Sequence, residues 1–120
     1  MRYLCLIHFD EALLDTLATA ALAALERESR AYEEELRTRG QLVAAHDLQR
    51  VKAAKVVQLR QDRVAWRDGP FAQAKEQLGG FLLIDVPDLN AAIQIAARLP
   101  MAPHASIEVR RVAIVERMAT

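Results

Sequence analysis

Cys5 is the only cysteine in the chain, so no intrachain disulfide and no multi-cysteine zinc knuckle can form. No stretch approaches the roughly 18 consecutive apolar residues that a membrane-spanning helix needs. Only Arg2 precedes the first apolar run, which is too short for the core of a secretion signal and lacks a small-residue cleavage site. Charge of one sign is also missing: 16 basic residues balance 16 acidic ones, and a neutral chain has no field that would favour nucleic acid or an anionic membrane. No Gly-rich phosphate loop and no Gly-x-Ser-x-Gly elbow is present. No set of residues has metal-ligand spacing either. The expectation is a cytoplasmic protein with no cofactor, no metal, no nucleic-acid partner and no membrane partner.

What is present is a core. Of 120 residues, 52% are hydrophobic, and a chain of that length buries about two-thirds of its unfolded surface in one domain. No linker, repeat or low-complexity tract divides it, so residues 1–120 are read as a single domain. Tyr3 to His8 is a short apolar run that reads as a buried strand, and Asp10 to Leu17 has room for a helical turn. After Thr19, read as the N-cap, Leu22, Leu25, Ser29, Tyr32 and Leu36 recur at steps of three and four, and Gly40 supplies the stop. Leu42 to Ala45 is a brief strand. Lys55–Arg60 and Arg63–Arg67 form the arms of a hairpin about Gln61-Asp62.

Asp68-Gly69-Pro70-Phe71 then makes a turn, followed by a short amphipathic helical segment and a double-glycine stop at Gly79-Gly80. Phe81–Val86 is a second apolar strand. Asp88 caps a helix with Leu89, Ala92, Ile93, Ala96 and Leu99 on its inner face, Pro100 ends that helix, and a last strand starts at Ala105. This order suits an α+β fold: a ferredoxin-like antiparallel sheet with two main helices on one face.

The sheet's other face carries the main inference. Tyr3, Cys5 and Ile7 alternate with Leu4 and Leu6, and Phe81 and Leu83 alternate with Leu82, Ile84 and Val86. Strands that are apolar on both sides are normally covered on both sides. Two helices cover one side, and the other would be a larger apolar patch than monomers usually carry. A homodimer packed face to face removes it.

Asp68-Gly69-Pro70-Phe71 with Lys75-Glu76-Gln77-Leu78-Gly79-Gly80-Phe81 resembles the signature of the YCII-related, DGPF-type domain family. Arg2 to Ile7, Asp10-Glu11-Ala12, Tyr32 with Glu34, Glu35, Leu36 and Gly40, Asp88 to Ala92, Arg98, Pro100 and Ser106 to Arg110 continue the resemblance over nearly the whole chain. It implies a dimeric α+β barrel. Members of the broader type include a dehydrochlorinase-like activity, and some are thought to use a His-Asp pair. Genes of this type often lie beside extracytoplasmic-function sigma factors, which implies a regulatory or sensing partner in that pathway as an alternative to catalysis. The chain departs from the family at Gln73 and Ala74, where an acid and a hydroxyl are common, at His8 for an aromatic, and at Arg111 for a proline. Its long first helix contains no histidine.

Five residues are candidates for chemistry. Asp68 is either a general acid/base near the dimer seam or a cap on the helical segment after Pro70. His8 ends the first strand, and imidazole ordinarily titrates near neutrality, which suits proton transfer; the alternative is a partly exposed strand end. Ser106, Glu108 and Arg110 share one face of the last strand, turned away from the helices. Arg110 can clamp an anion with Glu108 as base or partner, or the two can form an internal ion pair. The expected ligand is a small organic anion in a cleft at the dimer seam. Lys75 and Glu76 are read as a solvated helix face, His46 and His104 as strand-end and loop residues, and Cys5 as buried and inert.

Overall fold

The computed structural model describes residues 1–114. Its order is β1 (Arg2–Phe9), α1 (Glu11–Thr16), α2 (Thr19–Thr38), β2 (Leu42–Asp47), β3 (Lys55–Arg60), β4 (Arg63–Asp68), β5 (Gln77–Asp85), α3 (Leu89–Ala97) and β6 (Ser106–Arg111). Single 3₁₀ turns at Val51–Ala53 and Ala102–His104 precede β3 and β6. Four strands form one sheet in the order β2-β5-β1-β6, every neighbour antiparallel. This is the ferredoxin-like arrangement, with the β3-β4 hairpin inserted as a separate two-stranded sheet.

The alternation along β1 decides the layers. Tyr3, Cys5 and Ile7 are buried together with Leu82 and Ile84 of β5, Leu36 of α2 and Ala92, Ile95 and Ala96 of α3. Leu4 and Leu6 face away from this core and pair across the strands with Leu83 and Phe81. All four are only half-buried. The two-sided sheet read from the sequence is therefore present, with helices on one side. No helix among the described residues is long and apolar enough to cross a membrane.

Several local expectations are corrected. Thr19 is the first helical residue rather than the cap; Ala18 takes the cap position, with no side-chain bond. The other end matches: Gly40 has φ +71°, Gly40 N–H donates to Arg37 C=O at 2.9 Å and Gln41 N–H to Leu36 C=O at 2.9 Å, which closes the last turn as a left-handed glycine cap. Asp88 caps α3, its carboxylate accepting from Ala91 N–H at 2.8 Å. That helix turns Ile95, not Ile93, into the core, and Leu89 and Ile93 are exposed.

No helix follows Pro70. Residues 70–76 are irregular, and β5 begins at Gln77, well before the expected Phe81. The double glycine lies inside that strand. Gly79 has no pairing partner there, because Leu78 opposes His8 and Gly80 opposes Ile7. This is a β-bulge, where glycine and close approach are common. The ring of Phe9 lies over Gly79, so that a Cβ there would sit 2.0 Å from its Cε1.

The hairpin is where predicted, with Gln61 and Asp62 both at positive φ. That backbone suits the twist of a two-residue hairpin turn despite the absent Asn-Gly pair. Val57 opposes Trp66 and Leu59 opposes Val64, so all four stand on one face of the ribbon. They are between 61% and 71% exposed. The chain accordingly has a radius of gyration of 16.8 Å, against about 14 Å expected for a compact domain of this length.

Candidate functional site

A cleft of about 900 Å³ opens where β1 ends and β6 begins, lined among others by His8, Asp10, Lys75, Glu76, His104 and Ser106. Each side chain arrives by a definite local route. His8 is the last residue of β1 on the open face and lies beside Ser106 in the β1-β6 register. Asp10 accepts from Ala12 N–H at 3.0 Å and so starts α1 at the cleft's edge. The irregular segment before β5 is folded back by Gln77, whose Nε2 donates to the carbonyls of Ala72 at 2.7 Å and Ala74 at 2.8 Å. This carries Lys75 and Glu76 over the start of β6. Ser106 Oγ then donates to Glu76 Oε1 at 2.7 Å, tying two chain segments 30 residues apart.

Three of the five candidate residues, His8, Ser106 and Glu108, therefore share one cleft. Arg110 is further along β6, opposite Leu4, and its Nε donates to Glu108 Oε2 at 2.9 Å while its Nη2 contacts the same oxygen. Within one chain the pair is thus internal, and both members remain exposed. Asp68 is outside the cleft, at the end of β4. Its carboxylate accepts from Lys55 Nζ, and that bond holds its pKa below the usual carboxylate value. With no helix after Pro70, Asp68 has no helix to cap. The neighbouring Gly69 N–H instead donates to Ala54 C=O at 2.8 Å, and a Cβ on Gly69 would stand 2.8 Å from that of Ala54. The turn needs glycine because the backbone approaches so closely.

One expectation about neighbours is corrected by the same geometry. Lys75 and Glu76 are exposed, as expected, but lie on an irregular segment rather than a helix and form part of the cleft wall. His104 is in the loop before β6, as read, and lines the same wall. Strand alternation puts Ser106 and Glu108 on one face, but His104 stands in the 3₁₀ turn before β6 and is outside that period. Nothing in the sequence pattern announced the fold-back at Gln77. Cys5 is as expected, fully buried, with burial pushing its thiol up to about 11.

A model of the YCII-related domain matches residues 1–116. The chain belongs to the YCII-related family. A relative in Rhizobium meliloti (strain 1021), the uncharacterised protein R00369, is 31% identical over 116 residues, which are 95% of this chain and 94% of that one. Among solved structures, this YCII-related chain is similar to the 5-chloro-2-hydroxyhydroquinone dehydrochlorinase of Burkholderia phenoliruptrix AC1100, solved in complex with 2,5-dihydroxybenzoquinone. The TM-score is 0.58 with 15% identity, covering 94% of each chain. At that identity the likeness is one of fold.

Chemically, the cleft combines two imidazoles, carboxylates from Asp10, Glu76 and Glu108, and one ammonium from Lys75. Such a set can take a proton from a weakly acidic group and stabilise the anion that results. It lies at the rim of the open apolar face formed by Leu4, Leu6, Phe81 and Leu83.

Proposed function

We propose that the protein is a homodimer that binds a small, weakly acidic organic molecule in the cleft beside His8 and moves a proton to or from it. The observation that carries this reading is the convergence of His8, His104, Lys75 and Ser106 on one cleft at the edge of an uncovered apolar face. His8 accepts the proton. The ligand becomes anionic as His8 becomes cationic, and Lys75 supplies the second positive charge. Ser106 orients Glu76 and offers a hydroxyl, while Arg110 and Glu108 border the seam as a pair that an anionic ligand can open.

Two features support the dimer. The open sheet face is apolar, and the hairpin presents Val57, Leu59, Val64 and Trp66 on one exposed face. Exposed apolar surfaces of this kind are characteristic of interaction sites. A second copy, sheet against sheet, covers the first, and its body offers a surface for the second. Asp68, carried at the base of the hairpin, then enters the seam beside the partner.

The fold relative acts on a hydroxylated chloroaromatic ring, which makes hydroxylated benzenes and benzoates the first class to test. Titration calorimetry with such a series should find a compound that binds. His8→Gln should retain binding and abolish turnover, and Lys75→Ala should weaken the anionic forms selectively. Full turnover by His8→Gln would remove the imidazole from the chemistry and the proposal with it.

A further inference from the structure

The β3-β4 hairpin pairs with no strand of the main sheet, and alternation along its arms gives it two unlike faces. Val57, Leu59, Val64 and Trp66 stand on one, with Lys55 and Asp68 paired at its base. Arg60, Arg63 and Arg67 stand on the other. Arg60 and Arg67 donate to the carbonyls of Leu59 and Asp68 at 2.9 and 3.3 Å. None of the three arginines pairs with a carboxylate among the described residues. The chain's single tryptophan, Trp66, is exposed.

The His8 cleft has the opposite charge and lacks a roof. Its wall carries three carboxylates, of Asp10, Glu76 and Glu108, against the one ammonium of Lys75. The ribbon from Lys55 to Asp68 carries four basic residues against two acidic ones. A chain with no net charge thus separates its charges between these two places. At about 900 Å³ the cleft is near the upper end of the range for small-molecule pockets, so a single ring leaves much of it open to water. His8, Ser106 and Glu108 rise from the open sheet face, which turns the mouth towards whatever covers that face. Ribbon and cleft are rooted close together, because the segment leaving β4 at Gly69 runs on through Lys75 and Glu76 into the cleft wall. Six residues in each arm carry the ribbon's tip about 20 Å from that root.

We infer that in the homodimer proposed above, on which this rests, the hairpin of each copy lies across the His8 cleft of the other with its Trp66 face inward. The ligand site is then shared, because one copy supplies the proton-transfer groups and its partner supplies the roof. Three terms favour the arrangement. The four apolar side chains leave water, the basic ribbon meets an acidic wall, and the indole brings to the mouth an aromatic face on which a ring can stack.

A lone tryptophan reports on this directly. The full chain is diluted through the range in which sedimentation shows dimer giving way to single chain, and Trp66 emission is quenched with neutral acrylamide. In the dimer the emission should lie at shorter wavelength and the quenching constant should be severalfold lower than in the single chain. Leu6→Glu, which charges the sheet face, should restore the exposed values. Cross-linking then locates the ribbon. Val64→Cys and Lys75→Cys, both at exposed positions, are purified separately, mixed to exchange subunits and treated with a short bismaleimide; Cys5 is buried and does not compete. A product of twice the chain mass should form in the mixture and not with Val64→Cys alone. Val64→Cys linking to itself would set ribbon against ribbon. A protected Trp66 without the mixed product would set the ribbon on another surface of the partner. A dimer in which Trp66 stays fully quenchable would leave the ribbon free. Each of these overturns the shared site while the dimer stands, whereas a single chain at every concentration removes both.

Discussion

Gly79→Ala is the most exacting perturbation of this fold, because a single methyl meets a single ring. The added Cβ would stand 2.0 Å from Phe9 Cε1 and 2.3 Å from Phe9 Cζ, far inside any van der Waals contact. Gly79 does not occupy the left-handed region, so the backbone accepts alanine and the conflict is with the ring alone. The ring must swing out, giving up its place over the strand, or β5 must move from β1. Overpacking of this kind typically costs about 1–3 kcal/mol. In a Phe9→Ala background the obstacle is gone, and alanine in a strand is favoured over glycine by roughly 0.5–1 kcal/mol. The same substitution should there be neutral or stabilising. Urea unfolding of wild type, both single variants and the double variant, at one fixed protein concentration, closes the cycle. An equal loss from Gly79→Ala with and without Phe9 would show that the backbone, not the ring, requires glycine at the bulge.

Other expectations are simpler to check. Asp88→Ala removes the cap on α3 and should cost about 1 kcal/mol in the same unfolding assay; no loss would mean that Ala91 N–H finds another acceptor. Cys5 is buried, with a thiol raised from 9.0 to about 11. The folded state keeps it protonated where the unfolded chain releases the proton, so its contribution is intact below pH 9 and falls as pH rises towards 11. The full difference is worth about 3 kcal/mol. A Cys5→Ala variant should lose that alkaline slope, and an unchanged slope would contradict the assignment. In the native protein at pH 8, a thiol reagent should label Cys5 only as fast as the chain unfolds, and prompt stoichiometric labelling would place the thiol at the surface.

The elements legible in the sequence were those with strong local physics behind them. The stripe from Leu22 to Leu36, the positive-φ stop at Gly40 and the Asp88 cap all act within a turn or two, and each appears where expected. The alternation in β1 and β5 gave the two-sided sheet because a period of two requires no knowledge of partners. The segment after Pro70 failed for the opposite reason. Lys75 and Glu76 have helix-compatible chemistry, but Gln77 captures the carbonyls of Ala72 and Ala74 and β5 recruits Gln77 and Leu78 by pairing with β1. Tertiary pairing overrode local preference there.

The cleft was half legible. His8, Ser106 and Glu108 share a face by simple alternation, whereas the arrival of Lys75 and Glu76 depends on a contact across 30 residues. The opening of α2 away from the sheet was not legible at all. The same stripe that packs tightly at Leu36 stands off at Leu22, and periodicity is blind to a helix's tilt.

Sedimentation equilibrium at micromolar concentration tests the central claim most directly, since the proposed function sets the cleft at a seam between two copies. The account predicts a species of twice the 13.4 kDa chain mass, reverting towards the single chain when Leu6→Glu puts a charge on the open sheet face. A wild-type protein that sediments at 13.4 kDa throughout that range would contradict it.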